Sequence, residues 1–256
     1  MRKIYQLFKD KPLHKGLILN SKYEILNIIG TGSYGIVYLC KELHTNERRI
    51  IKQLRPSKRR KDTNLFGREM AILETLHHTN IPKFIESFFY KEHFMYVMEF
   101  INGENLEELI FHRKKVFNEL ESLLLLNQLL ELVAYLHENH IYHFDLRIPN
   151  LLLKNNEVYI IDFGLSRLVT NEDDPIEVSK MKYQDYYDLG EILLFLLYTT
   201  YPSNRKKALP WTEELSLKLE TVNLIKSLFG LQKPYETIAD ISIDIKKAIN
   251  AQVRSN

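Results

Sequence analysis

The stretch His143-Phe144-Asp145-Leu146-Arg147-Ile148-Pro149-Asn150 sets an aspartate and an asparagine five residues apart. Asp162 follows seventeen residues after the first aspartate, in Ile160-Ile161-Asp162-Phe163-Gly164. Together these can supply one base and two oxygen ligands. Magnesium is a hard cation that takes a few protein oxygens and completes its shell with phosphate and water. Asp162 closes an apolar run, where a merely solvated carboxylate is unexpected. An isolated Asp-Phe-Gly is more often a simple turn, so the weight rests on the combination.

Upstream lies Gly30-Thr31-Gly32-Ser33-Tyr34-Gly35-Ile36-Val37. Glycines let backbone amides approach phosphate oxygens without interference from a Cβ. A dinucleotide-binding turn needs a helix directly after the glycines, but Ile36–Leu39 reads as strand. The Gly-Lys-Ser/Thr ending of a P-loop is also missing. Lys52 lies seventeen residues after Gly35, in Arg49-Ile50-Ile51-Lys52. A strand lysine among apolar neighbours is often just a snorkelling side chain. Glu69, in the next helical segment, can pair with it.

These groups need elements to hold them. Tyr23–Leu39 reads as strand, turn and strand, and Arg49–Leu54 as a third strand. Leu65, Ile72, Leu73 and Leu76 have helical spacing within Thr63–Leu76. Phe84–Phe89 and Phe94–Phe100 are aromatic-rich strands. Glu119–Asn139 is apolar nearly all round and should be a buried helix. Short strands follow at Leu151–Leu153 and Val158–Ile161, then helices at Asp185–Thr199, Thr212–Phe229 and Tyr235–Ala248. The fold class is α+β and bilobal, an N-terminal antiparallel sheet plus one helix beside a helical C-terminal lobe. The expected divisions are an extension over 1–22, an N-lobe over 23–101 and a C-lobe over 102–256.

The chain has 256 residues, 45% hydrophobic and 27% charged, with a net charge of +2. No global field argues for nucleic acid. The one cysteine, Cys40, allows no internal disulfide, which fits a reducing compartment. The first residues lack the apolar core of a signal peptide. The apolar stretch Leu189–Tyr198 is too short to span a bilayer, which takes about 20 residues. A cytoplasmic location is expected. The basic run Arg55–Lys61 reads as a solvated loop, and Asn171–Pro175 as a disordered one. No histidine spacing suggests zinc.

The glycine segment, strand lysine, helix glutamate, HxDxxxxN loop and DFG triplet stand in the order and approximate spacing of protein kinases. From about Tyr23 to Thr199 the chain resembles a small soluble bacterial serine/threonine kinase of the eukaryotic-like (Hanks-type) class. The resemblance implies ATP and magnesium as cofactors. The backbone of Gly30, Thr31, Gly32, Ser33, Tyr34 and Gly35 would cover the phosphates. Lys52, oriented by Glu69, would hold the α- and β-phosphates. Asp145 would take the proton of the acceptor hydroxyl, and Arg147 would contact the γ-phosphate. Asn150 and Asp162 would ligate magnesium. Adenine is expected at the lobe boundary, with backbone groups of Glu99 and Ile101, Met98 as gatekeeper, and Val37, Ile50 and Leu152 around the base. Leu73, Phe84, Phe163 and His143, anchored by Asp185, would form a stack tying the lobes. The partners implied are protein substrates, the chain itself among them, with Ser166, Thr170 and Ser179 as unranked autophosphorylation sites.

Four departures qualify the resemblance. Phe144 replaces the arginine that pairs with a phosphorylated loop, so loop phosphorylation is not expected to be the main switch. The activation segment, about 162–184, is short and has no APE triplet, nor a basic partner for it near Pro234–Thr237, so the peptide-docking surface is reduced. Ile50 replaces a small alanine over the adenine, which we read as benign repacking. Asp145-Leu146-Arg147 with Asn150 also resembles the loop of some tyrosine kinases. Two competing functions share the fold: a small-molecule phosphotransferase, against which the glycine segment and DFG argue, and a nucleotide-binding pseudokinase, against which the complete catalytic set argues.

Overall fold

The computed structural model describes residues 11–32, 35–54, 63–201 and 209–254. Ser33 and Tyr34 of the glycine segment, and the basic run Arg55–Lys61, lie outside the described residues. The chain forms two compact units. One holds the described residues up to Asn102 together with Phe163–Leu165, and the other holds Gly103–Asp162 and the described residues from Ser166 onward.

The first unit is an antiparallel sheet of order β1-β2-β3-β4-β6-β5. Its strands are β1 (Ile18–Leu19), β2 (Tyr23–Thr31), β3 (Gly35–Glu42), β4 (Arg48–Leu54), β5 (Phe84–Tyr90) and β6 (His93–Glu99), with helix α1 (Thr63–Thr75) between β4 and β5. The sheet already begins at Ile18, within the stretch read from sequence as an extension. A strand of two residues is too short to carry an alternation signal. In β3 the period of two puts Ile36, Tyr38 and Cys40 fully inside. They pack with Leu19, Tyr23, Ile25, Ile51, Met95 and Val97. A polar group of this core, the Tyr38 hydroxyl, is satisfied. The Tyr38 hydroxyl donates to Gln53 Oε1 at 2.7 Å and accepts the Leu13 N–H at 3.0 Å. Burial pushes the Cys40 thiol up to about 12.

Two small sheets belong to the second unit, β10-β9-β7 and β11-β8. They comprise β7 (Glu104–Asn105), β8 (Ile141–Tyr142), β9 (Leu151–Lys154), β10 (Glu157–Ile160) and β11 (Arg167–Leu168). The helices are α2 (Leu106–Phe111), α3 (Glu119–Glu138), α4 (Pro175–Tyr198), α5 (Trp211–Glu214), α6 (Leu219–Leu228) and α7 (Ile238–Val253). Helix α3 starts on a capping box: Asn118 Oδ1 accepts the Glu121 N–H at 2.9 Å, and Glu121 Oε2 accepts the Asn118 N–H at 2.8 Å. Its leucines at 123, 126 and 129 are fully buried. Helices α4 and α6 approach so closely at Gly190 that a Cβ there would lie 2.9 Å from Phe229 Cε1.

Two helix expectations change. Helix α4 begins ten residues before Asp185, because Asp174 accepts the Ile176 N–H at 2.9 Å and Pro175 occupies the first turn, where no N–H is needed. Asn171–Pro175 is therefore an ordered capping turn rather than a disordered loop. Within it, Asp173 Oδ2 accepts the Thr170 N–H at 2.7 Å and the Thr170 hydroxyl at 3.0 Å. The helix expected over Thr212–Phe229 is two helices, α5 and α6. Leu215 turns inward between them, and the Lys218 N–H donates to Glu119 Oε1 at 3.1 Å. Among the described residues no helix is long and apolar enough to cross a membrane.

Candidate active site

Asp145 lies in the loop between β8 and a single 3₁₀ turn, Ile148–Asn150. The residue before it, Phe144, has φ 65°, a left-handed conformation that a bulky side chain adopts only when its surroundings impose it. The imposing groups are on α4. Asp185, fully buried, accepts the Phe144 N–H at 2.9 Å and the His143 N–H at 3.0 Å, and faces His137 Nε2 at 2.8 Å. Asp188 lies one turn further along. It accepts the Leu146 N–H at 3.2 Å and Gln184 Nε2 at 2.7 Å. Two carboxylates three residues apart share a helix face, and between them they capture three amides around Asp145.

The fourth amide, of Asp145 itself, points at His143 Nδ1 at 3.4 Å. A ring nitrogen accepts only in the neutral imidazole. Burial keeps His143 neutral by lowering its pKa, against the opposing pull of Asp185, Asp162 and Asp145. Burial also pushes the Asp188 carboxyl up to about 6, with the charge of Asp185 adding to it and the bonds from Gln184 and Leu146 resisting.

Asn150 is buried, and its Nδ2 donates to Asp145 O at 2.8 Å and to Asp145 Oδ2 at 3.1 Å. Both amide hydrogens are thereby committed, and Oδ1 is the atom left to meet a ligand. Arg147 Nε lies 3.2 Å from Asp145 Oδ2. The Ile161 N–H donates to Asn150 O at 3.1 Å, which brings Asn150 to within one peptide of Asp162. Asn105 ties the loop from behind, donating from Nδ2 to Pro149 O at 2.8 Å. So Asp145, Arg147, Asn150 and Asp162, expected together from sequence, are together in the second unit. Among the described residues no group of three or more His, Cys, Asp or Glu side chains could hold a metal by itself. A carboxylate and a carboxamide oxygen would instead suit a hard cation that draws its remaining ligands from phosphate and water.

In the first unit, Lys52 Nζ meets Glu69 Oε1 at 2.6 Å, with Glu69 buried. Lys52 is in register with Val37 on one side and Tyr96 on the other. A Cβ on Gly35 would lie 3.0 Å from Gln53 O, so that glycine is required by the sheet itself. Cβ atoms on Gly30 and Gly32 would meet nothing nearer than 3.6 and 3.9 Å. Among the described residues, packing does not demand glycine at either position. Ile50 is buried in register with Met98, and Ile101 is also buried. The Glu99 N–H is spent on Lys83 O at 2.9 Å and is not the group that Glu99 can offer. Leu152 belongs to the second unit, in β9 opposite Tyr159. Leu73 and Phe163 are buried in the first unit, and His143 and Asp185 in the second.

Sequence reasoning missed Asp188, His137 and Asn105. For Asp188 a signal was present: two aspartates three apart at the head of an apolar helical run. Asn105 and His137 carry no such mark, because their partners are backbone or distant in the chain.

The protein kinase domain family matches residues 23–222. The chain is 42% identical over 253 residues to a Bacillus subtilis (strain 168) protein named "Probable serine/threonine-protein kinase YbdM", covering 98% of both chains. It is 35% identical over 160 residues to calcium-dependent protein kinase 4 of Plasmodium berghei (strain Anka), covering 60% of this chain and 30% of that one. Serine/threonine-protein kinase cds1 of Schizosaccharomyces pombe (strain 972 / ATCC 24843) is 31% identical over 157 residues, 59% of this chain and 34% of that one. The match spans the glycine segment, the Lys52–Glu69 pair and the loop that α4 holds around Asp145, and the chain belongs to the protein kinase domain family.

Proposed function

We propose that the chain transfers the γ-phosphoryl group of ATP, in the presence of magnesium, to serine or threonine hydroxyls of proteins, itself included. The observation that carries this reading is the arrangement at Asp145. Asn150 and Arg147 both bond its carboxylate, and α4 fixes the amides on either side. A carboxylate held so firmly is suited to align a hydroxyl and take its proton as oxygen attacks phosphorus and the bond to the leaving diphosphate breaks. Serine and threonine as acceptors are supported by the printed names of the Bacillus and Schizosaccharomyces relatives.

In this reading Lys52, fixed by Glu69, holds the α- and β-phosphates, and the amides of Gly30–Gly35 cover them. Arg147 is placed to meet the γ-phosphate beside Asp145. Asn150 Oδ1 and the Asp162 carboxylate would hold magnesium, which when bound neutralises charge on the phosphates. Most of the catalysis is positioning and charge compensation, because phosphoryl transfer leaves little covalent work for the protein.

The test is incubation of the purified chain with γ-labelled ATP and magnesium, alone and with a generic basic protein, followed by phosphoamino-acid analysis. Label on phosphoserine or phosphothreonine is expected, with loss in Asp145→Asn and on chelation of magnesium. Intact nucleotide binding with no label on any protein would sink the reading.

A further inference from the structure

The loop that carries Asp145 is pinned on both sides of that residue, and the two sides are held differently. Upstream, the Phe144 and His143 amides go to Asp185, which also faces His137 Nε2. Downstream, the peptide joining Asp145 to Leu146 is held at both its polar atoms. Its carbonyl accepts Asn150 Nδ2 at 2.8 Å, and its N–H donates to Asp188 Oδ2 at 3.2 Å. Asp188 is 5% exposed, and no cation pairs with it among the described residues. Its other oxygen accepts the neutral amide of Gln184 at 2.7 Å.

The surroundings of Asp188 disfavour its charge. Burial comes first in holding its carboxyl up to about 6, and the charges of Asp185 and Glu191, one turn before and after it on α4, add to this. From the loop, Arg147 is turned toward Asp145, and His143 is kept neutral by burial. From α3, His137 faces Asp185. From β8, the Tyr142 ring lies 4.6 Å from that of His137. At Gly190, α4 is approached by Leu228 and Phe229, which carry no charge. An ionised Asp188 thus opposes folding. Yet it is the form that binds an amide best, because a charged acceptor holds an N–H about twice as firmly as a neutral one.

We propose that Asp188 is a positioning residue for phosphoryl transfer: as a carboxylate it fixes the Asp145–Leu146 peptide, and on taking up a proton it loosens that peptide and slows the reaction. The proposal rests on the reading of Asp145 as the group that takes the hydroxyl proton. Protonation turns one oxygen of Asp188 into an O–H donor and leaves the other an uncharged acceptor. The proton comes from solvent and returns to it, and no other bond forms or breaks. Phe144, at φ 65°, keeps its left-handed backbone only while its neighbours hold it. A weaker hold two residues on lets this turn relax, and two groups move with it. One is the Asp145 carboxylate. The other is Asn150, whose Nδ2 bonds both the carbonyl of that peptide and Asp145 Oδ2. A misplacement of about 1 Å slows aligned reactions by on the order of a hundredfold, so a small drift is enough.

The experiment measures transfer from labelled ATP to a generic basic protein, at saturating ATP and magnesium, between about pH 8 and pH 5.5. It compares the full chain with Asp188→Asn and Asp188→Ala. Wild type is expected to lose about fivefold in kcat across a midpoint near 6, with KM for ATP steady. Asp188→Asn, a fixed copy of the neutral form, should run about fivefold below wild type at the alkaline end and stay level as pH falls. Asp188→Ala, which removes the acceptor, should be slower still at every pH. Selective ¹⁵N labelling of leucine gives a readout free of activity. The Leu146 amide signal, assigned by its loss in Leu146→Met, should move with a midpoint near 6 in wild type and stay fixed in Asp188→Asn. An acid limb of equal size in Asp188→Asn would belong to Asp145 or to the nucleotide; it overturns the inference and leaves phosphoryl transfer standing. A Leu146 amide that does not move in wild type overturns it as well. Absence of transfer by wild type at every pH overturns both readings together.

Discussion

Glu69 is buried and Lys52 nearly so, and a buried pair behaves differently from a surface one. Removing one partner leaves an uncompensated charge, which costs about 3 kcal/mol or more, whereas removing both is often close to neutral. Glu69→Ala should therefore unfold at lower urea concentration than wild type and lose nucleotide binding, while the double change Lys52→Met with Glu69→Leu should recover stability but not binding. Recovery of neither would mean that the pair is not the group under strain. Asp188 gives a pH signature. Its carboxyl is held up to about 6, so the folded state binds the proton more tightly than the unfolded chain does. The stability this confers is complete below the usual carboxylate value near 4 and is lost as pH rises through about 6. In Asp188→Asn the titration is gone, and Gln184 can turn its amide to keep the bond. The variant should gain on wild type between pH 4 and 7, by up to about 3 kcal/mol in thermal unfolding. A difference that stays flat across that range would show that burial does not raise this carboxyl.

At the scale of elements, the segment between Gly164 and α4 is held by carboxylates. Asp173 takes the amide and hydroxyl of Thr170, and Asp174 caps α4. The loop order that other systems obtain from a phosphate meeting an arginine is supplied here without either, and Phe144 stands where that arginine would be. Protein treated with phosphatase should therefore keep its transfer rate within about twofold, against the orders of magnitude lost where an activating loop depends on phosphate. Asp173→Ala should slow transfer more than dephosphorylation does. A large loss on dephosphorylation would reverse the reading. The elements also show what could be read beforehand. The candidate site groups could be singled out because each lies in a short local motif whose chemistry is carried by residue type. The start of α4 was not, although Asp174-Pro175 is a helix-start signal. Its acidic neighbours made it look like a disordered loop, and only the bonds it makes distinguish the two. The break at Leu215 was hidden because apolar spacing continues across it.

For the molecule as a whole, the division into a strand-rich and a helix-rich part followed from the change of periodicity after Gly103. The beginning of the sheet did not. Leu19 is fully buried, Ile18–Leu19 pairs with β2, and Leu13 supplies the N–H that satisfies Tyr38. A chain shortened to start at Lys22 should lose several kcal/mol, from one buried leucine of about 2–5 kcal/mol plus the lost bond from the Leu13 N–H to Tyr38, with a lower melting temperature. An unchanged melting temperature would make the segment dispensable. That same core encloses Cys40, the molecule's one thiol, with its ionisation suppressed. A thiolate is the reactive species toward alkylating and oxidising agents, so the folded chain presents none to solvent. Each alkylation event then marks a moment when the six-stranded sheet has come apart. Slow modification of one buried atom becomes a clock for the opening of that unit, readable by mass in a crude mixture and free of background from any other site.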